Sequence, residues 1–235
     1  MTPYYQDDFV TLYNCDCREI VPTLGRFDLL LTDPPYGINA DKKRADTGRN
    51  KHIRQRDYGE TNWDEKPIEW TLIRGFIDLA AKSCVWGGNY YPVPPSSSWL
   101  VWDKETGENL YADCELAWTN YGGAVRIKHH KWHGFLRKNN ERRDHPTQKP
   151  LALMTWCIQL AGDDVKIILD PFAGSGTTGR AAKDLQRKCV LIEREERYCE
   201  IAAKRMLQEV FDFGASCGTV GGDGNSSDAP RATLF

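Results

Sequence analysis

The chain has 235 residues, 40% of them hydrophobic, which is enough for one large domain with a real core. No apolar run reaches membrane-spanning length, so no membrane-spanning helix is expected. The net charge of −2 argues against a uniformly basic nucleic-acid binder, yet it hides a split: residues 41–57 carry +4 and residues 126–143 carry +6. Two basic patches on an acidic body can steer a polyanion in spite of the average.

The opening Met1-Thr-Pro-Tyr-Tyr-Gln-Asp-Asp has neither an apolar signal core nor a basic start, and the expected location is the cytoplasm. The eight cysteines form no C-x-x-C pair, and Cys15 and Cys17 stand too close for an ordinary disulfide or zinc knuckle. They read as reduced thiols filling a core.

In chain order, Phe9–Tyr13 reads as a short strand and Cys17–Leu24 as a helical turn or short helix. Phe27–Leu31 is a continuous apolar run, the pattern of a strand buried on both faces. It ends at Thr32-Asp33-Pro34-Pro35-Tyr36, where two prolines forbid a central strand and the chain must turn. Residues 37–62 are polar, basic and aperiodic, and predict a long mobile loop. A helical pattern runs from Pro67 to about Lys82, with Ile68, Leu72, Phe76 and Leu79 on one face. Strands are expected at Cys84–Trp86, Trp99–Trp102, Cys114–Trp118 and Ala124–Lys128. After a basic stretch and His145-Pro-Thr-Gln-Lys-Pro150, the pattern predicts a helix (Leu151–Ala161) and a strand (Val165–Leu169). A glycine loop, a helix (Thr177–Leu185), a strand (Cys189–Ile192) and a last helix (Glu196–Val210) follow. From Gly214 to residue 235 the composition predicts a disordered tail, leaving 1–213 as one catalytic domain. Alternating strands and helices imply an α/β fold with a mostly parallel, doubly wound sheet.

Asp170-Pro-Phe-Ala-Gly174-Ser-Gly176-Thr-Thr-Gly179 lies between a strand and a helix and matches G-x-G-x-x-G, with Glu193 closing the next strand. That pattern suits a dinucleotide, and it also suits simple close packing of strand on helix. Two features turn the reading from NAD to S-adenosylmethionine. Asp170 would repel a pyrophosphate but accept a sulfonium and an ammonium. The loop also comes late, so the rest of the sheet must come from the N-terminal half, as in a circularly permuted fold. Glu193 would then accept hydrogen bonds from ribose hydroxyls; as a plain alternative it is a helix-start acid, since Glu195 and Glu196 follow.

Asp33-Pro34-Pro35-Tyr36 is the strongest signal, because ligands in such sheets bind beyond the carboxyl ends of strands. An exocyclic base amino group is a poor nucleophile, its lone pair being delocalised into the ring. If the Asp33 carboxylate and the Pro34 carbonyl each accept one of its N–H bonds, the nitrogen can pyramidalise toward a methyl donor. Tyr36 offers a face on which a flipped base stacks, returning about 1–3 kcal/mol of the few spent on extrusion. No cysteine stands in a Pro-Cys setting that would suggest C5 chemistry.

These strings resemble the site-specific DNA amino-methyltransferases of the beta, permuted motif order, over roughly residues 9–210. The resemblance rests on Leu12-Tyr-Asn-Cys-Asp16, Asp28–Tyr36, Trp99–Lys104, Glu115–Trp118, His145–Pro150 and Asp170–Gly176. It implies a Rossmann-like S-adenosylmethionine-dependent fold, with Asp33, Pro34, Pro35 and Tyr36 in catalysis. Phe172, Gly174 and Gly176 would line the methionine part of the cofactor, Glu193 the ribose and Asp16 the adenine end; Asp170, Ser175 and Thr177 would also bind the cofactor. Thr147 and Lys149 would sit near the methionine carboxylate. An opening Asp goes more often with N6-adenine than with N4-cytosine in this family. Other readings are an N4-cytosine enzyme, a catalytically silent DNA-binding subunit, and an NAD-dependent oxidoreductase.

Many relatives carry a large target-recognition region where this chain has only residues 119–144. Target reading would rely on that segment, on the 37–62 loop, or on a second subunit in a homodimer; a restriction endonuclease partner is not legible. Contacts to double-stranded DNA are expected from Lys42, Lys43, Arg44, Arg49, Lys51, Arg54 and Arg56, and from Lys128, Lys131, Arg137 and Lys138. His129, His130 and His133 lack companions at ligand spacing, so no metal is expected.

Overall fold

The computed structural model describes residues 1–37, 65–106, 112–132 and 148–208. The 37–62 loop beyond Gly37, the 214–235 tail, Thr147, Arg137, Lys138 and all seven loop cations therefore lie outside the described residues.

Among the described residues, nine strands form one sheet in the order β1-β2-β9-β8-β3-β4-β6-β5-β7. They are β1 (Tyr5–Gln6), β2 (Val10–Asn14), β3 (Phe27–Thr32), β4 (Ala80–Trp86), β5 (Trp99–Asp103), β6 (Cys114–Thr119), β7 (Arg126–His129), β8 (Ile167–Asp170) and β9 (Lys188–Glu193). The five central strands β2, β9, β8, β3 and β4 run parallel. β6 is antiparallel to both β4 and β5, and β1 to β2. The helices are α1 (Cys17–Ile20), α2 (Trp70–Asp78), α3 (Leu151–Ala161), α4 (Thr177–Asp184) and α5 (Glu196–Met206).

The apolar run of β3 explains the layering. Leu29 and Leu31 face one core with residues of α3, α4 and α5; Leu30 faces the other with Ile20, Ile73 and Phe76 of α1 and α2. All three leucines are fully buried, each contributing roughly 1.5–3 kcal/mol of transfer free energy. Asp28 of β3 also accepts from the backbone N–H groups of Lys166 and Ile167, at 2.7 and 2.9 Å, at the start of β8.

The largest departure from the sequence expectation lies at the start of β4. The helix expected from Pro67 to Lys82 is only Trp70–Asp78, and Ala80-Ala81-Lys82 open β4 instead. Those residues are good helix formers, but pairing with Phe27–Thr32 across a parallel ladder overrides a local preference worth only tenths of a kcal/mol per residue. Pro67 forms a bridge with Tyr36, and Ile68 N–H donates to the Pro35 carbonyl at 3.2 Å, which ties the two ends of the 37–64 stretch together.

Candidate active site

Because the central strands are parallel, Asn14, Glu193, Asp170, Thr32 and Trp86 all end on one edge of the sheet. Helices and turns rise beyond them around a cleft enclosing about 1010 Å³ of open space, its mouth included. Asp16 and Glu193, at the ends of β2 and β9, and Asp33 and Lys149, beyond β3, all line it, as do Phe172 and Ile192. Two strand spacings separate β9 from β3, so the two polar pairs stand roughly 10 Å apart.

Beyond β3 the prolines offer no N–H to the sheet, and the chain turns out. The turn is pinned from outside: the Tyr91 hydroxyl donates to the Pro35 carbonyl at 2.6 Å. Gly87, directly after β4, has φ +66°, and a Cβ there would collide with the Tyr36 ring. That ring stacks on Tyr90 at 5.0 Å and meets Tyr91 edge-on at 6.5 Å. The Tyr36 hydroxyl donates to Asp33 Oδ1. Among the described residues none donates to the Pro34 carbonyl.

Asp33 Oδ2 accepts from Lys149 Nζ at 2.5 Å. The same ammonium lies 3.0 Å from Glu115 Oε2, whose other oxygen is 2.6 Å from Lys104 Nζ. Lys149 is buried beneath this pair and stands over the Trp86 ring at 5.5 Å. Burial pushes the Asp33 carboxyl up, against the pull of Lys149. Burial would raise Glu115 too, but Lys149 and Lys104 together overcome it and hold it at about 2. Burial alone would lower Lys149; the two carboxylates raise it instead.

The glycine loop is held from its ends. Asp170 Oδ1 accepts from the Thr32 hydroxyl at 3.0 Å and the Phe172 N–H at 3.2 Å, and Oδ2 from the Thr178 hydroxyl at 2.6 Å. Burial is the largest influence on this carboxyl and raises it to about 6. Asp170 is thus a clasp between β3, the loop and α4 more than an exposed charge, which weakens the electrostatic argument that the sequence offered for it. Glu193 accepts from Gly174 N–H and Glu195 N–H, both at 2.8 Å, joining the loop to the start of α5. Gly176 has φ +76°, and a Cβ there would meet the Ala202 Cβ at 2.7 Å. At Gly179 a Cβ would meet Leu191 Cδ1 at 2.5 Å, so this glycine serves helix-to-strand packing.

Asp16, Asp33, Pro35, Lys149, Asp170, Phe172, Gly174, Ser175, Thr177 and Glu193 all line the one cleft, as their sequence patterns require if they act together. Pro34 and Tyr36 form the turn beside it. Lys149, expected by the methionine carboxylate, lines the cleft and there pairs with Asp33 and Glu115. Asp16 caps α1 and receives the Arg18 guanidinium at 2.8 Å, yet still borders the cleft. Of the expected DNA-contacting cations in the described residues, Lys131 is exposed, while Lys128 is half-buried with its ammonium 6.0 Å from the Trp156 ring centre. Sequence reasoning missed Glu115, Lys104, Tyr90 and Tyr91. Glu115 carried a usable signal, since an acid between apolar residues of a strand needs a buried cation.

Residues 85–204 match the family model described as DNA methylase, N6_N4_Mtase. The chain is 46% identical to the Type II methyltransferase M2.LlaDCHI of Lactococcus lactis subsp. cremoris, over 87% of this chain and 91% of that protein. It is 39% identical to the Type II methyltransferase M.HinfI of Haemophilus influenzae, over 86% and 70%. Among solved structures, the M1.HpyAVI-SAM complex superposes with a TM-score of 0.55 at 25% identity, over 85% of this chain and all of that one. The cytosine-N4-specific PvuII DNA methyltransferase shares the fold, with a TM-score of 0.58 at 16% identity over 89% and 90%. The chain belongs to the N6/N4 DNA methylase family and is a DNA methyltransferase.

Proposed function

We propose that this methyltransferase acts on the exocyclic N6 of adenine flipped out of double-stranded DNA, with Asp33, Pro34, Pro35 and Tyr36 as its catalytic turn. The observation carrying this reading is the Asp33 carboxylate in the lining of the cofactor cleft, followed in the chain by Pro34, whose carbonyl accepts no hydrogen bond from the described residues. The family's methyl donor, S-adenosylmethionine, supplies an electrophilic methyl group. The cleft suits such a molecule: carboxylates of Asp16 and Glu193 can accept from hydroxyl and amino groups, and Phe172 and Ile192 offer apolar walls. Glu193 would hold the ribose and Asp16 the adenine end. Asp170, Phe172, Gly174, Ser175, Gly176 and Thr177 would hold the amino-acid part, with Thr147 beside them.

Asp33 and Pro34 accept the two N–H bonds of the target amino group, and these hydrogen bonds strengthen as the nitrogen becomes cationic. Asp33 Oδ1 now receives the Tyr36 hydroxyl, so an entering amino group competes with Tyr36 for that oxygen. Tyr36, on the same turn as Asp33, and Tyr90, stacked on it, would supply the aromatic surface for the flipped base. Among the described residues no helix is long and apolar enough to cross a membrane, and the working location is the cytoplasm, where DNA and cofactor meet. Target reading draws on residues 119–144, the 37–62 loop, or a second copy of the chain.

The test is expression in a methylation-deficient host, followed by mass spectrometry of the DNA nucleosides. N6-methyl-2′-deoxyadenosine is expected; N4-methyl-2′-deoxycytidine as the sole product overturns the adenine assignment. Asp33→Ala should lower the transfer rate on the order of 10²–10³ while leaving cofactor binding nearly intact. Activity within a few-fold of wild type removes Asp33 from the mechanism.

A further inference from the structure

We propose that Glu115 and Lys104 are positioning residues for methyl transfer. They form, with Lys149 and Asp33, a row of four charges that sets how strongly Asp33 accepts from the target amino group. The inference rests on the catalytic reading of Asp33.

The row runs across the sheet edge from β5 to β3. Lys104 follows β5, Glu115 lies in β6, Lys149 precedes α3, and Asp33 follows β3. Its links are 2.6 Å (Lys104 to Glu115), 3.0 Å (Glu115 to Lys149) and 2.5 Å (Lys149 to Asp33). Two cations and two carboxylates leave the row neutral. Stability alone does not call for it, since buried ion pairs can often be replaced by apolar residues at no cost.

Its logic lies in sharing. A lone Lys149 paired with Asp33 would neutralise the carboxylate and make it a weaker acceptor. Glu115 draws part of the Lys149 charge away, so Asp33 stays basic while still oriented by the ammonium. Lys104 offsets the second acid, so that two carboxylates can coexist around one buried lysine. Among the described residues, Tyr36 on its own turn and Asp170 at the end of β8 also face Asp33. Cys157 of α3 faces Lys149.

The row makes signed predictions. Removing the negative charge at Glu115 leaves Asp33 fully paired with Lys149 and easier to ionise. Removing the positive charge at Lys104 does the reverse. We would measure single-turnover transfer of labelled methyl from S-adenosylmethionine to unmethylated plasmid DNA against pH. Relative to wild type, Glu115→Gln should move the acid limb down by roughly half to one unit and lower the plateau several-fold. Lys104→Gln should move the limb up by a similar amount, and the double variant should return it toward wild type. A merely structural role would change the yield or melting of the protein but leave the limb in place. If both single variants fold and keep the wild-type limb, the proposal is overturned. If Glu115→Gln does not fold, the Lys104→Gln shift decides alone, since the Lys104 side chain is 19% exposed against 5% for Lys149. A limb abolished by Asp170→Asn belongs to Asp170 and also overturns it. Near-wild-type activity in Asp33→Ala would defeat the catalytic reading itself; loss there with unmoved limbs in the other variants defeats only this one.

Discussion

Glu193 holds two positions at once: it closes β9 within the cleft and it accepts from backbone N–H groups on both sides of it. Each of its oxygens keeps a further lone pair, so a cofactor hydroxyl can still bind. Glu193→Ala should weaken cofactor binding by roughly 1.5–3 kcal/mol, the range for hydrogen bonds to a charged group. Titration calorimetry with S-adenosylhomocysteine measures it; an unchanged Kd would leave Glu193 as a helix-start acid only. Asp170 gives a different signature. Its folded pKa of about 6 lies above the ordinary 3.8, so the fold binds its proton more tightly than the unfolded chain does. The associated stability is full below about pH 4 and is lost as pH rises through 6, by about 3 kcal/mol. Denaturant melts of wild type and Asp170→Asn compared from pH 4 to 7 should show that loss in the wild type alone. At this scale the Asp-Pro-Pro-Tyr turn was legible because two prolines and an aromatic exceed what a plain turn needs. The partners of Lys149 were not, because one carboxylate follows β3 and the other lies in β6, 116 and 34 residues away in the sequence.

Among the elements, the strongest periodic segments were legible. Leu151–Ala161 is the helix its pattern predicts, and β3 is the buried strand its leucines predict. The start of β4 was not, since Ala80–Lys82 carry helix-forming side chains and only the neighbouring strand makes them extended. β1 is two residues long and paired on one side, too short to leave a pattern. The glycine loop shows why motif and packing readings overlap. Gly179 is needed because α4 lies against Leu191 of β9, a fully buried side chain with no room to retreat. Gly179→Ala should cost about 1–3 kcal/mol through overpacking, a fall of several degrees in Tm. Scanning calorimetry tests it; a melting point unchanged within error would mean that α4 shifts freely on the sheet.

For the whole molecule, the charge split seen in the sequence gives the DNA-binding prediction. Lys42, Arg44 and Arg49 lie outside the described residues, so the argument for them rests on charge alone. If each meets a phosphate, changing all three to Ala should make the slope of log K against log salt shallower by up to about 2.7. Fluorescence anisotropy across a salt series reads this directly; a wild-type slope would move the search to residues 126–143. β7, which carries Arg126 and Lys128, is four strand spacings from β3, or roughly 19 Å, within the span of a duplex.

The position of β8 and β9 has a consequence for how the enzyme is made. β2 and β3 are neighbours in sequence but not in the sheet; the two late strands fill the gap between them. Thr32 and Asp170, joined by a hydrogen bond across that seam, are 138 residues apart in sequence. At ordinary synthesis rates of about 5–20 residues per second, roughly 7–28 seconds pass between the emergence of one and the other. For that interval the inner edges of β2 and β3 are open, unpaired and flanked by buried-type leucines, the kind of edge that attracts other chains. Slow translation or a premature stop before residue 167 would therefore yield a sticky, cofactor-free fragment, whereas a circular permutant that begins near β8 would give the seam its strands first.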